Sequence, residues 1–153
     1  MSYGPAWARE IVAMDKTEGQ LDILLVEDNA GDVFMVREAL EEAAFPHVLH
    51  VVNDGQAALD YLRQQAGPAG QWPDLIVLDL NLPGKTGREV MAEMQAEPEL
   101  KALPVAVLTT SRSESQIGRD FPALRSTFAA KTPDFQQLVE IVRRFREFAA
   151  ETV

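Results

Sequence analysis

The chain contains no cysteine. Thiolate zinc centres, disulfides and thiol nucleophiles are therefore excluded; zero cysteines fit any compartment, and a cytoplasmic location is expected. Positive charge is scarce: 14 Lys and Arg stand against 24 Asp and Glu, a formal net charge of −10. A nucleic acid partner needs a basic face, and so does an anionic membrane surface; neither is expected here. Long hydrophobic runs are missing too. No segment approaches the ~20 apolar residues of a membrane span. Arg9 and Glu10 interrupt the only apolar stretch near the start, so no signal-peptide core is present. Histidine occurs twice, as His47 and His50 around one short apolar stretch, and both read as structural.

What is there alternates. The 153 residues suit one domain with a real core, and 46% hydrophobic with 25% charged residues is an ordinary globular balance. Residues 1–20 read as an extension, 21–150 as the domain and 151–153 as a tail. Five apolar stretches read as strands: 22–27, 48–52, 75–79, 105–109 and about 127–130. Helical patterns follow each. The first spans about 31–44, with Val33, Val36, Leu40 and Ala43 on one face, and the second about 56–65. Thr86-Gly87-Arg88-Glu89 predicts a capping box opening a helix to about Ala96. Ser113-Glu114-Ser115-Gln116 predicts another, before a helix shortened by Gly118 and Pro122. The last helix is expected to take Thr132 as its N-cap and Pro133 as its first residue, and to run to about Ala150. Trp72 reads as a packing residue in the loop before the third strand; Trp7 has no assignable role.

Five βα units imply a parallel sheet with helices on both faces. In the flavodoxin-like order 2-1-3-4-5 the first and third strands are neighbours at the switch point. Glu27-Asp28 ends the first and Asp79 ends the third, so three acids converge. Alone, Asp79 would cap a turn and Glu27-Asp28 would be a solvated pair. Together their like charges need a counterion. Oxygen ligands without His or Cys select Mg2+ among divalent metals. An aspartate beside such an ion can attack a phosphoryl group and become an acyl phosphate. A nearby lysine is expected for that chemistry, and Lys131 ends the fifth strand. Thr109 ends the fourth and offers a hydroxyl to a phosphoryl oxygen.

Glu27-Asp28, Asp79, Thr109 and Lys131 resemble the acidic pair, phosphoacceptor, switch hydroxyl and lysine of bacterial response-regulator receiver domains, over about residues 21–150. The stretches Val26 to Asp32, Asn81 to Gly87 and Leu108 to Ser111 are similar to one subgroup, the single-domain regulators served by bacterial phytochrome histidine kinases. The resemblance implies that Asp28 and Asp79 hold Mg2+ by side chains, Glu27 through water and Asn81 by its backbone carbonyl. It implies that Asp79 takes phosphate from a sensor histidine kinase, with Thr109 and Lys131 binding the new group. Phe128, three residues before the lysine, falls at the aromatic switch position, and Met35 on the face offered to the kinase.

Two departures stand out. Receivers commonly carry proline after the lysine, joined by a cis peptide; Thr132 stands here, where cis would cost ~2.5–4 kcal/mol, so the bond is expected to be trans or, if cis, imposed by the site. Phe128 also lacks the hydroxyl of the tyrosine often found there. On the last helix, Phe135, Leu138, Val139, Val142 and Phe145 form a broad apolar arc, read as a homodimer interface. The chain ends where the receiver pattern ends, so a stand-alone phosphoacceptor is expected rather than an enzyme. A haloacid-dehalogenase-type phosphatase would need a second aspartate two residues after the first, and Asn81 is there instead. A pseudo-receiver that only binds partners would have lost one of the five site residues.

Overall fold

The computed structural model describes residues 20–65, 70–110 and 116–151. Its elements are β1 (Leu21–Val26), α1 (Ala30–Ala43), β2 (His47–Val52), α2 (Gly55–Gln64), β3 (Leu75–Leu78), α3 (Gly87–Ala96), β4 (Val105–Thr109), α4 (Ile117–Asp120), β5 (Ser126–Ala130) and α5 (Phe135–Ala150). All four strand pairings are parallel, in the order β2-β1-β3-β4-β5. This is the expected flavodoxin-like arrangement, and it makes β1 and β3 neighbours.

The apolar runs are continuous because both faces of the sheet are covered. Alternate residues feed opposite cores. Ile23, Leu25, Leu75, Val77, Ala106 and Leu108 pack with α1 and α5. Leu24, Val26, Ile76, Leu78, Val105 and Val107 pack with α2, α3 and α4. Trp72 packs against this second core, as a structural residue.

Helix starts follow from local hydrogen bonding. Asn29 caps α1 by accepting the Asp32 N–H at 2.9 Å, and Asp54 caps α2 by accepting the Ala57 N–H at 2.7 Å. The capping box of α3 is present in both directions: Glu89 N–H to Thr86 Oγ1 at 3.2 Å and Thr86 N–H to Glu89 Oε1 at 2.8 Å. The residues proposed to cap α4 fall largely outside the described residues; Gln116, its N-cap, makes no side-chain capping hydrogen bond. At four residues α4 is as short as Gly118 and Pro122 require.

Two expectations fail in α5. The N-cap is Asp134, not Thr132: its side chain accepts the Gln137 N–H at 3.2 Å. Thr132 instead accepts the Asp134 N–H at 3.1 Å, forming a small turn one step before the helix. Its neighbour Pro133 is thereby outside the helix. The apolar arc is also used up within the chain. Leu138, Val139, Val142 and Phe145 are all buried in the core, packed with α1, and Phe135 is partly buried against it. They do not form an exposed dimer surface. Met35 is likewise partly buried against this core, whereas its neighbour Phe34 is 58% exposed. Among the described residues every peptide bond is trans, Lys131–Thr132 included, as expected. None of the described helices is long and apolar enough to cross a membrane.

Candidate functional site

The carboxyl end of the sheet gathers the charged residues. Val26 closes β1 and Leu78 closes β3, so Glu27 and Asp79 leave adjacent strands together. The Asp79 N–H donates to the Val26 carbonyl at 3.1 Å, and the Glu27 N–H donates to the Val52 carbonyl at 3.0 Å. These bonds continue the ladders one residue past the strands and fix both side chains at the mouth of the sheet. Both are buried, Glu27 to 3% and Asp79 to 5% exposure, while Asp28 is exposed.

Glycine allows the turn after Asp79 to fold back. A Cβ on Gly87 would lie 2.6 Å from the Leu80 Cα and 2.7 Å from the Asp79 carbonyl oxygen. Only a residue without a side chain lets the start of α3 rest on that backbone. The Gly87 N–H donates to the Leu80 carbonyl at 3.0 Å, closing the loop. Gly84, at φ 67°, supplies the left-handed position within it.

Lys131 joins the site from β5. Its N–H donates to the Thr109 carbonyl at 2.9 Å, tying the ends of β4 and β5 together. Its ammonium lies 2.8 Å from Glu27 Oε1, 3.1 Å from Asp79 Oδ2 and 2.7 Å from Asp32 Oδ2. Three carboxylates thus share one cation. Burial pushes the lysine down, but its hydrogen bonds to Asp32, Glu27 and Asp79 outweigh that and hold it above its ordinary value. It stays charged across the physiological range. Burial pushes the Glu27 carboxyl up; its hydrogen bonds with Lys131 and the Asn29 N–H oppose that, and the Asp79 charge adds to the rise.

One oxygen each of Glu27, Asp28 and Asp79 lies within 4.8 Å of the others. This is an oxygen-only donor set carrying more negative charge than Lys131 offsets. It fits a hard divalent cation such as Mg2+, which tolerates few protein ligands and retains water. Asn81 is held beside it, its N–H donating to Asp79 Oδ1 at 3.2 Å.

Thr109 is fully buried, and its Oγ1 has no hydrogen-bond partner among the described residues. An unsatisfied buried hydroxyl costs stability, so its retention points to a use. Val107 pairs with Phe128 and Thr109 with Ala130 across β4 and β5. Strand alternation puts Thr109 on the same face as Val107, where Phe128 packs against the α2, α3 and α4 core. The structure therefore brings together Glu27, Asp28, Asp79, Asn81 and Lys131. Thr109 ends the neighbouring strand, with Phe128 one step down that face. Asp32 was not foreseen. The signal was available: an Asn29 N-cap places the residue three later in the first helical turn, on the side of the sheet mouth.

The response regulator receiver domain model matches residues 23–143. Response regulator Rcp1 of Synechocystis sp. is 40% identical over 136 residues, covering 86% of this chain and 90% of that protein. A crystal structure of the phosphorylated cyanobacterial phytochrome response regulator RcpA is 42% identical with a TM-score of 0.73, covering 88% of this chain and 96% of that one. The Mn2+-bound form of Rcp1 superposes with a TM-score of 0.70 at 40% identity, covering 87% and 96%. The chain belongs to the response-regulator receiver family, whose members are signalling proteins.

Proposed function

We propose that this chain accepts a phosphoryl group on Asp79 from a histidine of a sensor kinase, in a Mg2+-dependent relay served by a bacterial phytochrome. One observation carries the reading: a buried aspartate at the switch point lies 3.1 Å from a lysine ammonium that it shares with Glu27, and it converges with the Glu27-Asp28 pair. The names of the relatives support the finer part, since one is a phosphorylated phytochrome response regulator and another binds Mn2+.

The chemistry is a transfer between two nucleophiles. An Asp79 carboxylate oxygen forms a bond to phosphorus as the nitrogen–phosphorus bond of the phosphohistidine breaks. The departing imidazole keeps the bonding electron pair and takes up a proton. Glu27, Asp28 and Asp79 would hold a divalent cation, which would supply positive charge against the acids and the incoming phosphoryl oxygens. Lys131 donates to one phosphoryl oxygen, and the Thr109 hydroxyl donates to another. The Asn81 N–H keeps the Asp79 carboxylate oriented. Movement of Thr109 toward the phosphoryl group opens space on the face where Phe128 packs, which biases the packing of α4 and β5. Water later attacks phosphorus slowly and restores the carboxylate.

Acetyl phosphate with Mg2+ is the direct test. Intact-mass spectrometry is expected to show a gain of ~80 Da, the mass of one added phosphoryl group, lost in Asp79→Asn and on chelation of the metal. Label transferred from a phosphorylated phytochrome kinase, in preference to kinases of other inputs, tests the partner. A wild-type chain that gains no mass from either donor sinks the reading.

A further inference from the structure

Lys131 has three N–H donors, and three different carboxylates use them. Its longest contact is with Asp79, the residue it must serve, and its shortest is with Asp32 at 2.7 Å. Asp32 belongs to neither strand end. It sits in the first turn of α1, held by the Asn29 cap, where the helix dipole favours a negative charge. Its side chain is 43% exposed, against 4% for Glu27 and 6% for Asp79.

A phosphoryl group on Asp79 needs at least one donor from the ammonium. The Asp79 contact passes to the group it carries, and because the phosphoryl oxygens stand further out than Asp79 Oδ2, turning onto them also costs one of the other two contacts. Glu27 is buried, and separating it from the ammonium would leave its charge to the metal site and the Asn29 N–H alone, with little access to water, which costs more than releasing an exposed carboxylate. Asp32 is half in water, and its carboxylate can be rehydrated when the lysine turns away. The cheapest exchange is therefore Asp32 for the phosphoryl oxygen.

Resting on the proposed function, we infer that Asp32 is a positioning residue: it parks the Lys131 ammonium in the unphosphorylated chain and yields it to the phosphoryl group. An ion pair present in one state and broken in the other biases the equilibrium between them. Asp32 thus opposes phosphorylation and keeps the resting state populated.

Fluoroberyllate, a phosphoryl mimic that binds an aspartate with Mg2+, reads this as an equilibrium. Asp32→Asn is expected to tighten fluoroberyllate binding on the order of three- to fivefold, the range set by a half-exposed ion pair. A merely structural role for Asp32 would weaken binding, because the site would loosen. Glu38→Gln removes an equal charge from the exposed side of the same helix and is expected to change affinity much less. In a Lys131→Ala chain, Asp32→Asn is expected to give no gain of affinity. Unchanged or weaker binding in Asp32→Asn overturns the role. So does equal tightening by Glu38→Gln, or equal tightening in the Lys131→Ala chain, either of which would mean that charge acts on the anion directly. A wild-type chain that binds no fluoroberyllate with Mg2+ overturns the phosphoacceptor reading itself; wild-type binding with an unmoved Asp32→Asn overturns the positioning role alone.

Discussion

The layer of α1 and α5 and the layer of α2, α3 and α4 cover the same sheet with unequal amounts of helix. α1 and α5 run 14 and 16 residues and share one continuous core. Arg125 fastens the far end of α5, donating to the Phe148 carbonyl at 2.5 Å with its guanidinium 4.4 Å from the centre of the Phe148 ring. Arg146 lies 4.9 Å from the centre of the Phe45 ring. On the other side α2 and α3 have ten residues each, and α4 has four with no side-chain cap. A short, uncapped helix opens at low cost. Thr109 and Phe128 lie on that thinner side. Asp32 and its contact with Lys131 lie on the other. A phosphoryl group on Asp79 would therefore pull a hydroxyl where the packing can respond and a lysine where it cannot. The lesson is that rigid and responsive parts of the molecule are sorted by sheet face.

Core truncation should expose the contrast most strongly. Phe145→Ala in the thick layer is expected to lower the unfolding free energy by ~3–5 kcal/mol, while Ile117→Ala in α4 should cost about 2, because a single turn can collapse around the gap. Urea unfolding measures both; equal costs would erase the distinction between the layers. Thr109→Val comes next. Removing a buried hydroxyl that has no partner among the described residues is expected to raise stability by ~1 kcal/mol while weakening affinity for the phosphoryl mimic. Stability and binding moving in the same direction would mean that the hydroxyl is not held for the phosphoryl group.

The lysine offers a pH test. Its folded value is raised above the ordinary 10.5 by the three carboxylates. The stability it contributes is therefore complete below 10.5 and is lost as pH climbs through the higher folded value. Wild type should lose stability in that alkaline window more steeply than Lys131→Ala, measured by urea midpoints at matched pH. Parallel losses would show that the ammonium gains nothing from folding. Smallest of all should be Arg63→Ala. Arg63 pairs with Glu93 at 2.9 Å and with Glu97, linking α2 to α3 at the surface. Exposed pairs of this kind contribute at most about 1 kcal/mol, less in high salt. A larger loss would place a stiff element in the layer read here as yielding.

Much of this was legible before any coordinates. Unbroken apolar runs marked β1, β3 and β4, because burial on both faces leaves no alternation to misread. Asp79 and Glu27 were visible as charges ending such runs. The chain was harder to read where two local signals competed. Thr132-Pro133 and Asp134 both offer a helix start, and the hydroxyl went to a turn instead. The arc on α5 was correctly apolar, yet its burial against α1 depends on how two distant helices meet, which periodicity does not contain. For Asp32 only half of the signal is local: the Asn29 cap puts it in the first turn of α1, but its ion pair with Lys131 joins residues 99 positions apart.

The measurement that bears most directly on the central claim is the location of the phosphoryl group. Reaction with a phosphorylated histidine kinase and Mg2+, followed by borohydride reduction and peptide mapping, converts an aspartyl phosphate to homoserine. The account predicts that conversion at position 79 and nowhere else. Conversion at Asp28, Asp32 or another acid, with Asp79 intact, would contradict it.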